Sequence, residues 1–468
     1  MKRLPLVTLA VGTALGLAVG VAGTLAYDAS PDDTDAPTTG PTDGPTTQPS
    51  AEPGQAAPRS VILLIGDGMD DSMITAARNY SVGAAGRLVL DGLPATGAMT
   101  TYGLVPGPGP DHAIDYVSDS AATASGFSTG VKTIDGRISQ GPSDATVVPG
   151  EDHETVLEAF ARAGKRTGNV STADITDATP AAAATHVNDR TCQDPTTMSA
   201  CPAALKSAGG RGSIAEQLLD AGVDLLLGGG QQRFDRALED GSASLLDHAT
   251  TDRGYRSVRT ADELAAVDDL AGGRLLGLFA PVHLTRKYAP LEARPGGATT
   301  ADGRCVEQDR GTEPTVAQMT STALDLLDDP DGFFLQVEAA SVDKAEHERD
   351  ICGAIGELED LDEAVETALD YQGEHPDTLV VVTGDHAHST QIVMDDKGGI
   401  DTATVTTADG DPMTVAYSTA YREATDGKER GKATHTGTQI RVAAIGPGAE
   451  RVTGVIDQTE LHAIMLGQ

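Results

Sequence analysis

The chain has 468 residues, of which 39% are hydrophobic, and its 70 acidic residues outnumber its 33 lysines and arginines. The formal net charge of −37 at pH 7 repels polyanions, which argues against nucleic acid as a partner. An anionic small substrate is also repelled at long range, so a site for one has to be locally positive.

The first predicted element is a secretory signal peptide over residues 1–26. Its basic start (MKR) precedes a stretch without charge, and the sequence TLA at residues 24–26 offers a small-x-small cleavage site. The alternative is an uncleaved membrane anchor, because the apolar stretch is just long enough to span a bilayer. We favour cleavage, which predicts a secreted or extracytoplasmic protein without membrane attachment. An uncleaved signal would instead associate the protein with the cell envelope.

Residues 27–58 are rich in Pro, Thr, Asp, Gly and Ser and contain almost no apolar side chains. Such a segment cannot bury enough surface to order itself, so we predict a disordered linker. The rest of the chain, residues 59–468, is predicted to form one large domain, and its length suits an α/β domain with insertions.

Three apolar segments predict buried strands, and each is followed by an acidic residue. The segments cover residues 61–65, 333–337 and 379–382, and the acids are Asp67, Glu338 and Asp385. A helical pattern over residues 357–369 separates the second segment from the third, and strands alternating with helices favour a mostly parallel central sheet with helices on both faces. Ligands of such sheets bind beyond the carboxyl ends of the strands. One acid could simply cap a turn, but three acids at the same edge repel one another unless they share cations.

Histidines strengthen the metal interpretation. Asp343 and His347 are four residues apart, which places them on one face of a helix. His386 follows Asp385 directly, His388 lies two residues further on, and His435 lies in a later polar segment. Carboxylate and imidazole donors suit zinc, and this set is large enough for more than one metal ion.

A serine and an aspartate begin another predicted helix. Asp119-Ser120 precedes a run of small residues, and such residues are common helix N-caps. The same position allows a functional interpretation, because backbone N–H groups and the dipole at a helix start favour anions and a serine alkoxide.

Six segments of the chain carry a resemblance to a known family. In chain order they are GDGM, DYVSDSAATASGFSTGVKT, TGNVSTADITDATPAAAATHVNDR, GFFLQVEAASVDKAEH, TGDHAH and THTGTQIR. Through them, most of the chain after the linker resembles bacterial alkaline phosphatase. The resemblance implies that residues 59–468 are the catalytic domain, an alkaline-phosphatase-like α/β/α sandwich with a small insertion near the site entrance. It also implies a homodimeric, metal-dependent phosphomonoesterase acting on small phosphate monoesters.

The resemblance also implies a set of site residues. Ser120 is the implied nucleophile, which becomes phosphorylated, and the implied cofactors are two Zn²⁺ and one Mg²⁺ per subunit. The implied ligands of the first zinc are Asp343, His347 and His435. Those of the second zinc are Asp67, Asp385 and His386. The implied ligands of the magnesium are Asp67, Thr179 and Glu338.

Further residues are implied to support this centre. Arg190 is the implied phosphate clamp, since its planar guanidinium can bind two phosphate oxygens, and Asp119 is implied to orient it. Asp177 and Lys344 are implied to hold waters between the magnesium and phosphate regions. His388 is implied to support a zinc ligand.

The four cysteines predict two disulfides, since an even number in an exported chain favours pairing, although three connectivities are possible. We expect the pairs nearest in sequence, Cys192 with Cys201 and Cys305 with Cys352. A thiolate zinc site is disfavoured, because neither pair has the two-residue spacing of such sites.

Two local features differ from the family pattern or match it loosely. Asp70-Asp71 follows GDGM where the family commonly has a small residue before its acid, and this extra charge either tunes metal retention or has no effect. Around Asp409-Gly410 we predict a hairpin with strands over residues 402–407 and 413–418. The resemblance implies that an insertion here shapes the site entrance and dimer contacts, although this segment matches the family more loosely.

Other classes explain the sequence less well. A dinucleotide-binding oxidoreductase lacks the third glycine of its fingerprint, and a P-loop lacks its Gly-Lys-Ser/Thr. A sulfatase would need a Cys/Ser-x-Pro-x-Arg setting, which is missing. A phosphodiesterase or phosphomutase would share the metals, but Arg190 near Asp119-Ser120 favours monoester hydrolysis. A non-catalytic acidic cation-binding protein explains the charge but gives Ser120 no role.

Overall fold

The computed structural model describes residues 57–394, 400–420 and 431–468. The strands are, in chain order, β1 (Ser60–Gly66), β2 (Ala95–Thr100), β3 (Gly103–Leu104), β4 (Ile114–Asp115), β5 (Arg166–Asp174), β6 (Leu225–Gly229), β7 (Tyr255–Val258), β8 (Arg274–Leu278), β9 (Arg294–Pro295), β10 (Phe333–Ala339), β11 (Thr378–Gly384), β12 (Thr390–Val393), β13 (Asp401–Thr406), β14 (Pro412–Tyr417), β15 (Ile440–Ile445) and β16 (Gly454–Asp457). The helices are α1 (Asp71–Val82), α2 (Ser120–Thr129), α3 (Val156–Arg162), α4 (Ala178–Ala182), α5 (Ile214–Ala221), α6 (Gln231–Phe234), α7 (Leu245–Thr251), α8 (Ala261–Ala265), α9 (Val316–Leu327), α10 (Ser341–His347), α11 (Ile351–Glu374) and α12 (Glu460–Met465).

A central ten-stranded sheet has the order β16-β2-β15-β11-β1-β10-β5-β6-β8-β7 within the described residues. From β11 to β7, all neighbouring strands run parallel. Only β15 opposes its neighbours, since it is antiparallel to both β11 and β2. The prediction of a mostly parallel sheet is confirmed.

Helices cover both faces of this sheet, as β1 demonstrates. Its side chains are all buried, because apolar residues of a central parallel strand pack on both sides. Ile62 and Leu64 belong to a core shared with α1, α9 and α11, whereas Leu63 and Ile65 belong to a second core shared with α2, α4 and α5. The predicted arrangement of helices on both faces is therefore confirmed.

The register of the three central strands determines which residues meet at the carboxyl edge. In β1, Ile65 pairs with Glu338 of β10 on one side and with Thr383 of β11 on the other. The residues that follow β1 and β11, including Asp67 and Asp385, therefore leave the sheet side by side.

A smaller antiparallel sheet has the order β12-β14-β13-β9. Its hairpin joins β13 to β14 through the turn at Asp409 and Gly410, where the Gly410 N–H donates to the Thr407 carbonyl at 3.0 Å. A positive φ of 88° at Gly410 explains why glycine suits this turn. The predicted hairpin is confirmed, with strand ends that differ by one residue.

The two disulfides join Cys192 to Cys201 and Cys305 to Cys352, as predicted from their order in the sequence. Disulfides are typical of proteins that fold in an oxidising, extracytoplasmic compartment. None of the helices in the described ranges has the length and hydropathy that a membrane span requires. The signal predicted at residues 1–26, and all but the last two residues of the predicted linker, lie outside the described residues.

Candidate active site

The predicted site lies where the carboxyl ends of β1, β10 and β11 meet. Asp67 follows β1, and its backbone N–H donates to the Ala339 carbonyl of β10 at 3.2 Å. The Asp67 carbonyl in turn accepts from the Asp343 N–H at 2.8 Å, which ties β1 to the start of α10. Gly68 makes this approach possible, because a Cβ there would lie 3.0 Å from the Asp343 Cα, and its φ is +76°.

A first donor cluster surrounds one oxygen of Asp343. The Nε2 atoms of His347 and His435 lie 3.3 Å from Asp343 Oδ1, and that of His388 lies 3.5 Å away. His388 therefore joins the three predicted zinc ligands in one group whose donor atoms all lie within 4.8 Å of one another. Both Asp343 Oδ1 and His388 Nε2 are buried without a hydrogen-bond partner of good geometry in the described ranges.

The tautomers of this cluster favour a cation. His347 Nδ1 lies 2.7 Å from the Ala433 carbonyl, and His435 Nδ1 lies 3.0 Å from the Ser118 carbonyl. A carbonyl can only accept, so both Nδ1 atoms carry protons, and in the neutral rings both Nε2 atoms present lone pairs. These Nε2 atoms are 3.1 Å apart. Two lone pairs that face each other beside a carboxylate are a donor set suited to a metal ion.

Protonation of His435 is coupled to this arrangement. Burial lowers the pKa of its imidazole, but the adjacent Asp343 carboxylate outweighs burial and raises the pKa to about 9. Without a cation the ring therefore holds a second proton, on Nε2, at neutral pH. A metal ion that binds there has to displace this proton.

A second donor cluster consists of Asp67, Asp385 and His386, which are all buried. His386 Nε2 lies 3.4 Å from Asp67 Oδ1 and 3.6 Å from Asp385 Oδ2. Backbone donors fix Asp385, whose Oδ1 accepts from the N–H groups of Gly68 at 3.0 Å and His386 at 2.8 Å.

Buried carboxylates of this region repel one another. Burial, followed by the charges of Asp385, Asp343 and Glu338, raises the pKa of Asp67 well above its usual value. For Glu338 burial dominates over the opposing charge of Lys344, and the pKa rises to about 7. Ionised forms of these acids therefore require compensating positive charge, which divalent cations supply.

The residues expected at the magnesium site lie on adjoining elements. Glu338 accepts from Ser171 Oγ of β5, and the Thr179 carbonyl of α4 accepts from Gln336 Nε2 of β10 at 3.0 Å. The Thr179 hydroxyl is buried and has no hydrogen-bond partner of good geometry in the described part of the chain. An unpartnered hydroxyl beside the Glu338 carboxylate fits a hard cation with oxygen ligands.

Ser120 is the first residue of α2, directly against the second cluster. Its Oγ lies 3.1 Å from His386 Nε2 and 3.3 Å from Asp67 Oδ1, and the residue is buried. Asp119 is the N-cap, since its Oδ1 accepts from the Ala122 N–H at 3.0 Å. Ala121 and Ala124 of α2 belong to the same core as Leu63 and Ile65 of β1.

Arg190 completes the arrangement with two carboxylate contacts. Its Nη1 lies 3.2 Å from Asp119 Oδ2, and its Nη2 lies 2.9 Å from Asp177 Oδ1. The other oxygen of Asp177 accepts from Lys344 Nζ at 2.8 Å. Although burial disfavours its charge, Lys344 and Arg190 hold the pKa of Asp177 well below its usual value. On this side of Ser120, two cationic side chains therefore offset the charges of Asp119 and Asp177.

The sequence alone gave Asp70 no definite role and did not point to Asp135, although both lie near the site. The Asp70 side chain caps α1, because its Oδ1 accepts from the Met73 N–H at 2.9 Å, and burial raises its pKa to about 6. The N-cap preference for aspartate was a usable signal. Asp135 Oδ1 accepts from the Asp119 N–H at 3.0 Å, and no motif marked it.

Ser120 therefore lies against the second donor cluster, and Arg190 contacts Asp119, the residue before Ser120. Fold and site together define a metal-dependent phosphomonoesterase. The family model for alkaline phosphatase matches residues 58–433. The chain belongs to the alkaline phosphatase family, as the resemblance in the sequence indicated.

Individual comparisons agree with this assignment. Streptomycin-6-phosphate phosphatase of Streptomyces griseus is 45% identical over 423 residues, which cover 87% of this chain and 90% of that protein. Alkaline phosphatase of Escherichia coli (strain K12) is 43% identical over 417 residues, covering 87% of this chain and 85% of that protein. The structure of alkaline phosphatase from the Antarctic bacterium TAB5 has the same fold, with a TM-score of 0.64 at 22% identity over 88% of this chain and 98% of that one.

Proposed function

We propose that the enzyme hydrolyses phosphate monoesters through a phosphoserine on Ser120, with two Zn²⁺ and one Mg²⁺ bound per chain. The observation that carries this proposal is the position of Ser120 Oγ, within 3.3 Å of both Asp67 and His386 at the start of α2. A hydroxyl in this position gains from the helix dipole and from cations held by its neighbours.

In the first half-reaction the Ser120 Oγ–P bond forms and the P–O bond to the alcohol breaks, so the alcohol leaves as an alkoxide and takes a proton. In the second half-reaction water attacks phosphorus, the Ser120 Oγ–P bond breaks and inorganic phosphate leaves. Ser120 Oγ has to lose its proton before it attacks, and cations held by the adjacent Asp67 and His386 would favour the alkoxide.

Arg190 binds the transferring phosphoryl group. Asp119 and Asp177 each contact a different terminal nitrogen of its guanidinium, so the orientation of the planar group is fixed before substrate arrives. The guanidinium then stabilises the charge that spreads over the equatorial oxygens in the transition state. Lys344, which contacts Asp177, adds a second positive charge. We propose that Lys344 and Asp177 hold water between the phosphate and the magnesium region.

The donor sets indicate which cation each site takes. Asp343, His347 and His435 combine oxygen with imidazole nitrogen and suit zinc, as do Asp67, Asp385 and His386. Asp67, Thr179 and Glu338 offer only oxygen and suit magnesium. His388, 3.5 Å from Asp343 Oδ1, supports that carboxylate. When bound, the zinc ions supply Lewis acidity that lowers the pKa of the serine hydroxyl and stabilises the departing alkoxide.

The test measures hydrolysis of an aryl phosphate at alkaline pH before chelation, after chelation, and after zinc and magnesium are restored. We expect activity to disappear and return. Ser120→Ala should abolish activity while the metal content, measured by mass spectrometry, stays at two zinc and one magnesium. Ser128→Ala, a buried serine further along α2, is the matched control and should remain active.

Trapping gives direct support for the covalent step. Mixing enzyme with substrate and quenching in acid should add one phosphate to the peptide that contains Ser120. An active Ser120→Ala enzyme, or phosphate on another residue, would contradict the phosphoserine mechanism. A folded, metal-replete enzyme that cleaves only diesters would contradict monoester hydrolysis itself.

We propose that the substrate range is broad. The described residues at the reaction centre are assigned to the phosphate and the cations, which all phosphate monoesters would share. The name of the Streptomyces griseus relative adds a phosphorylated aminoglycoside to the substrates worth testing. Comparable kcat/KM values for an aryl phosphate, a sugar phosphate and an aminoglycoside phosphate would support breadth. A preference above about 100-fold for one of them would contradict it.

We also propose that the protein is exported and forms a homodimer. Export is supported by the basic and apolar residues at 1–26 and by the two disulfides. An association surface is supported by the exposed apolar side chains of Ile114, Tyr116 and Val117, where the Tyr116 residue is 75% exposed. N-terminal sequencing of the secreted protein and its mass in solution test these two proposals.

A further inference from the structure

A two-residue turn, Asp135-Gly136, contacts the start of α2 although it follows that helix in the chain. Asp135 Oδ1 accepts two hydrogen bonds from the segment before Ser120, from the Asp119 N–H at 3.0 Å and from Ser118 Oγ at 3.3 Å. Asp119 and Ser118 are the two residues that lead directly into the nucleophile.

Gly136 extends these contacts to the phosphate clamp. Its N–H lies 3.1 Å from each carboxylate oxygen of Asp119, and its carbonyl accepts from the Arg190 N–H at 2.7 Å. A φ of +77° at Gly136 orients these groups, and a side chain disfavours that conformation. The turn therefore contacts both the residue before Ser120 and the backbone of Arg190.

Ser118 connects the same turn to a third part of the site. While its hydroxyl donates to Asp135, its carbonyl accepts from His435 Nδ1 at 3.0 Å. Little space is available for Ser118 to move, because a Cβ on the neighbouring Gly103 would lie 2.5 Å from its Oγ.

The negative charge of Asp135 is unfavourable at this position, whereas its carboxylate oxygen makes the hydrogen bonds described above. Partial burial raises the pKa of Asp135 to about 6, and the neighbouring charges of Asp119 and Asp115 also disfavour its ionised form. Solvent reaches Asp135, so removing the side chain leaves no buried cavity. Its accepting oxygen, rather than its negative charge, is therefore the useful part of the residue.

We infer that Asp135 is a positioning residue, which through its carboxylate oxygen fixes the location of Ser120 relative to Arg190 and His435. This inference rests on the proposed roles of Ser120 and Arg190. Misplacing a nucleophile and an anion clamp by a fraction of an ångström raises the barrier of an in-line displacement, because the reacting atoms leave their productive geometry.

The experiment compares Asp135→Ala with Asp135→Asn in the metal-loaded enzyme. Asp135→Ala removes the acceptor and should lower kcat/KM for an aryl phosphate by about 10- to 100-fold. The inhibition constant of inorganic phosphate should rise as well, since Arg190 is less well placed. Asp135→Asn keeps an accepting oxygen and loses the charge, so its kcat/KM should stay within about threefold of the unchanged enzyme.

Two controls separate positioning from charge and from folding. Asp115 is a nearby carboxylate whose Oδ1 accepts from the Val117 N–H. Asp115→Ala removes this carboxylate and should leave kcat/KM within about threefold of the unchanged enzyme. Metal content and melting temperature should be equal in all variants. In an Arg190→Ala background, Asp135→Ala should cost less than it does alone, because the two changes damage one arrangement.

Three results would overturn the inference. They are an Asp135→Asn enzyme as slow as Asp135→Ala, full activity in Asp135→Ala, and an Asp135→Ala fold-loss in kcat/KM that is as large in the Arg190→Ala background as it is alone. Failure of the proposed function is distinguishable, since it would appear as activity in Ser120→Ala whatever residue 135 is.

Discussion

Glu338 should stabilise the metal-loaded protein but destabilise the metal-free protein at alkaline pH. Burial raises the pKa of its carboxyl to about 7, from an ordinary value of 4.5. In metal-free protein the ionised carboxylate is therefore unfavourable in the folded state. Glu338→Gln keeps the size and the accepting oxygen without the charge, so it should stabilise metal-free protein at alkaline pH.

The magnitude follows from linkage between protonation and folding. A carboxyl with a raised folded-state pKa favours folding below the unfolded-state pKa, and this contribution is lost as the pH rises through the folded-state value. A difference of about 2.5 pKa units corresponds to about 3 kcal/mol. For a folded unit of roughly 400 residues, with about 2.1 cal/mol/K of unfolding entropy per residue, this amounts to about 4 °C in melting temperature.

The assay is thermal unfolding of chelated protein at pH 4 and pH 8. Glu338→Gln should match the unchanged protein at pH 4 and melt about 4 °C higher at pH 8. Glu366→Gln, the same substitution at an exposed position of α11, is the control and should have no effect at either pH. With zinc and magnesium bound, Glu338→Gln should instead melt lower and lose magnesium.

Equal melting temperatures of the two chelated proteins at pH 8 would refute the reasoning, because they would show that the Glu338 charge is already compensated without a cation. A gain that is the same at pH 4 would also refute it, since the effect would then be independent of ionisation.

Three further predictions concern the clamp, the disulfides and the surface charge. Arg190→Lys should lower kcat/KM by about 10- to 100-fold and weaken inhibition by inorganic phosphate, since one ammonium replaces a two-oxygen contact worth about 1.5–3 kcal/mol; unchanged inhibition would contradict the clamp. Replacing Cys305 and Cys352 by serine should cost about 4 kcal/mol in urea unfolding, and replacing Cys192 and Cys201 about 2.6 kcal/mol, because the sequence separation is 47 for the first pair and 9 for the second. A greater loss for the shorter loop would contradict this order. Raising salt from about 10 to 150 mM should increase kcat/KM for an aryl phosphate by screening the acidic surface, and a steady fall at constant metal content would contradict that steering argument.

The central part of the fold could be predicted because its signals are local. Five apolar residues followed by Gly-Asp-Gly predict a buried strand with an acid at its end, and β1 with Asp67 has this form. Four-residue spacing was enough to place Asp343 and His347 on one face of α10. The pairing of Cys305 with Cys352 followed only from their order in the chain.

Contacts that depend on tertiary geometry could not be predicted in the same way. Asp135 lies in an ordinary Asp-Gly turn, and only the return of the chain beside α2 brings it to the Asp119 N–H. The face-to-face Nε2 atoms of His347 and His435 depend on the carbonyls of Ala433 and Ser118, which no side-chain pattern encodes. Order within the sheet, in which β1 lies between two strands from the second half of the chain, is likewise set by packing.

This strand order has a consequence for biosynthesis. Val61 of β1 pairs with Phe334 and Leu379, so a growing polypeptide cannot complete its central three strands until most of it has been made. His435 emerges later still. Contacts so distant in the chain slow folding, and a half-made site binds cations weakly because its donors have not yet converged. The compartment in which folding is completed, rather than the one in which translation begins, therefore supplies the metal ions.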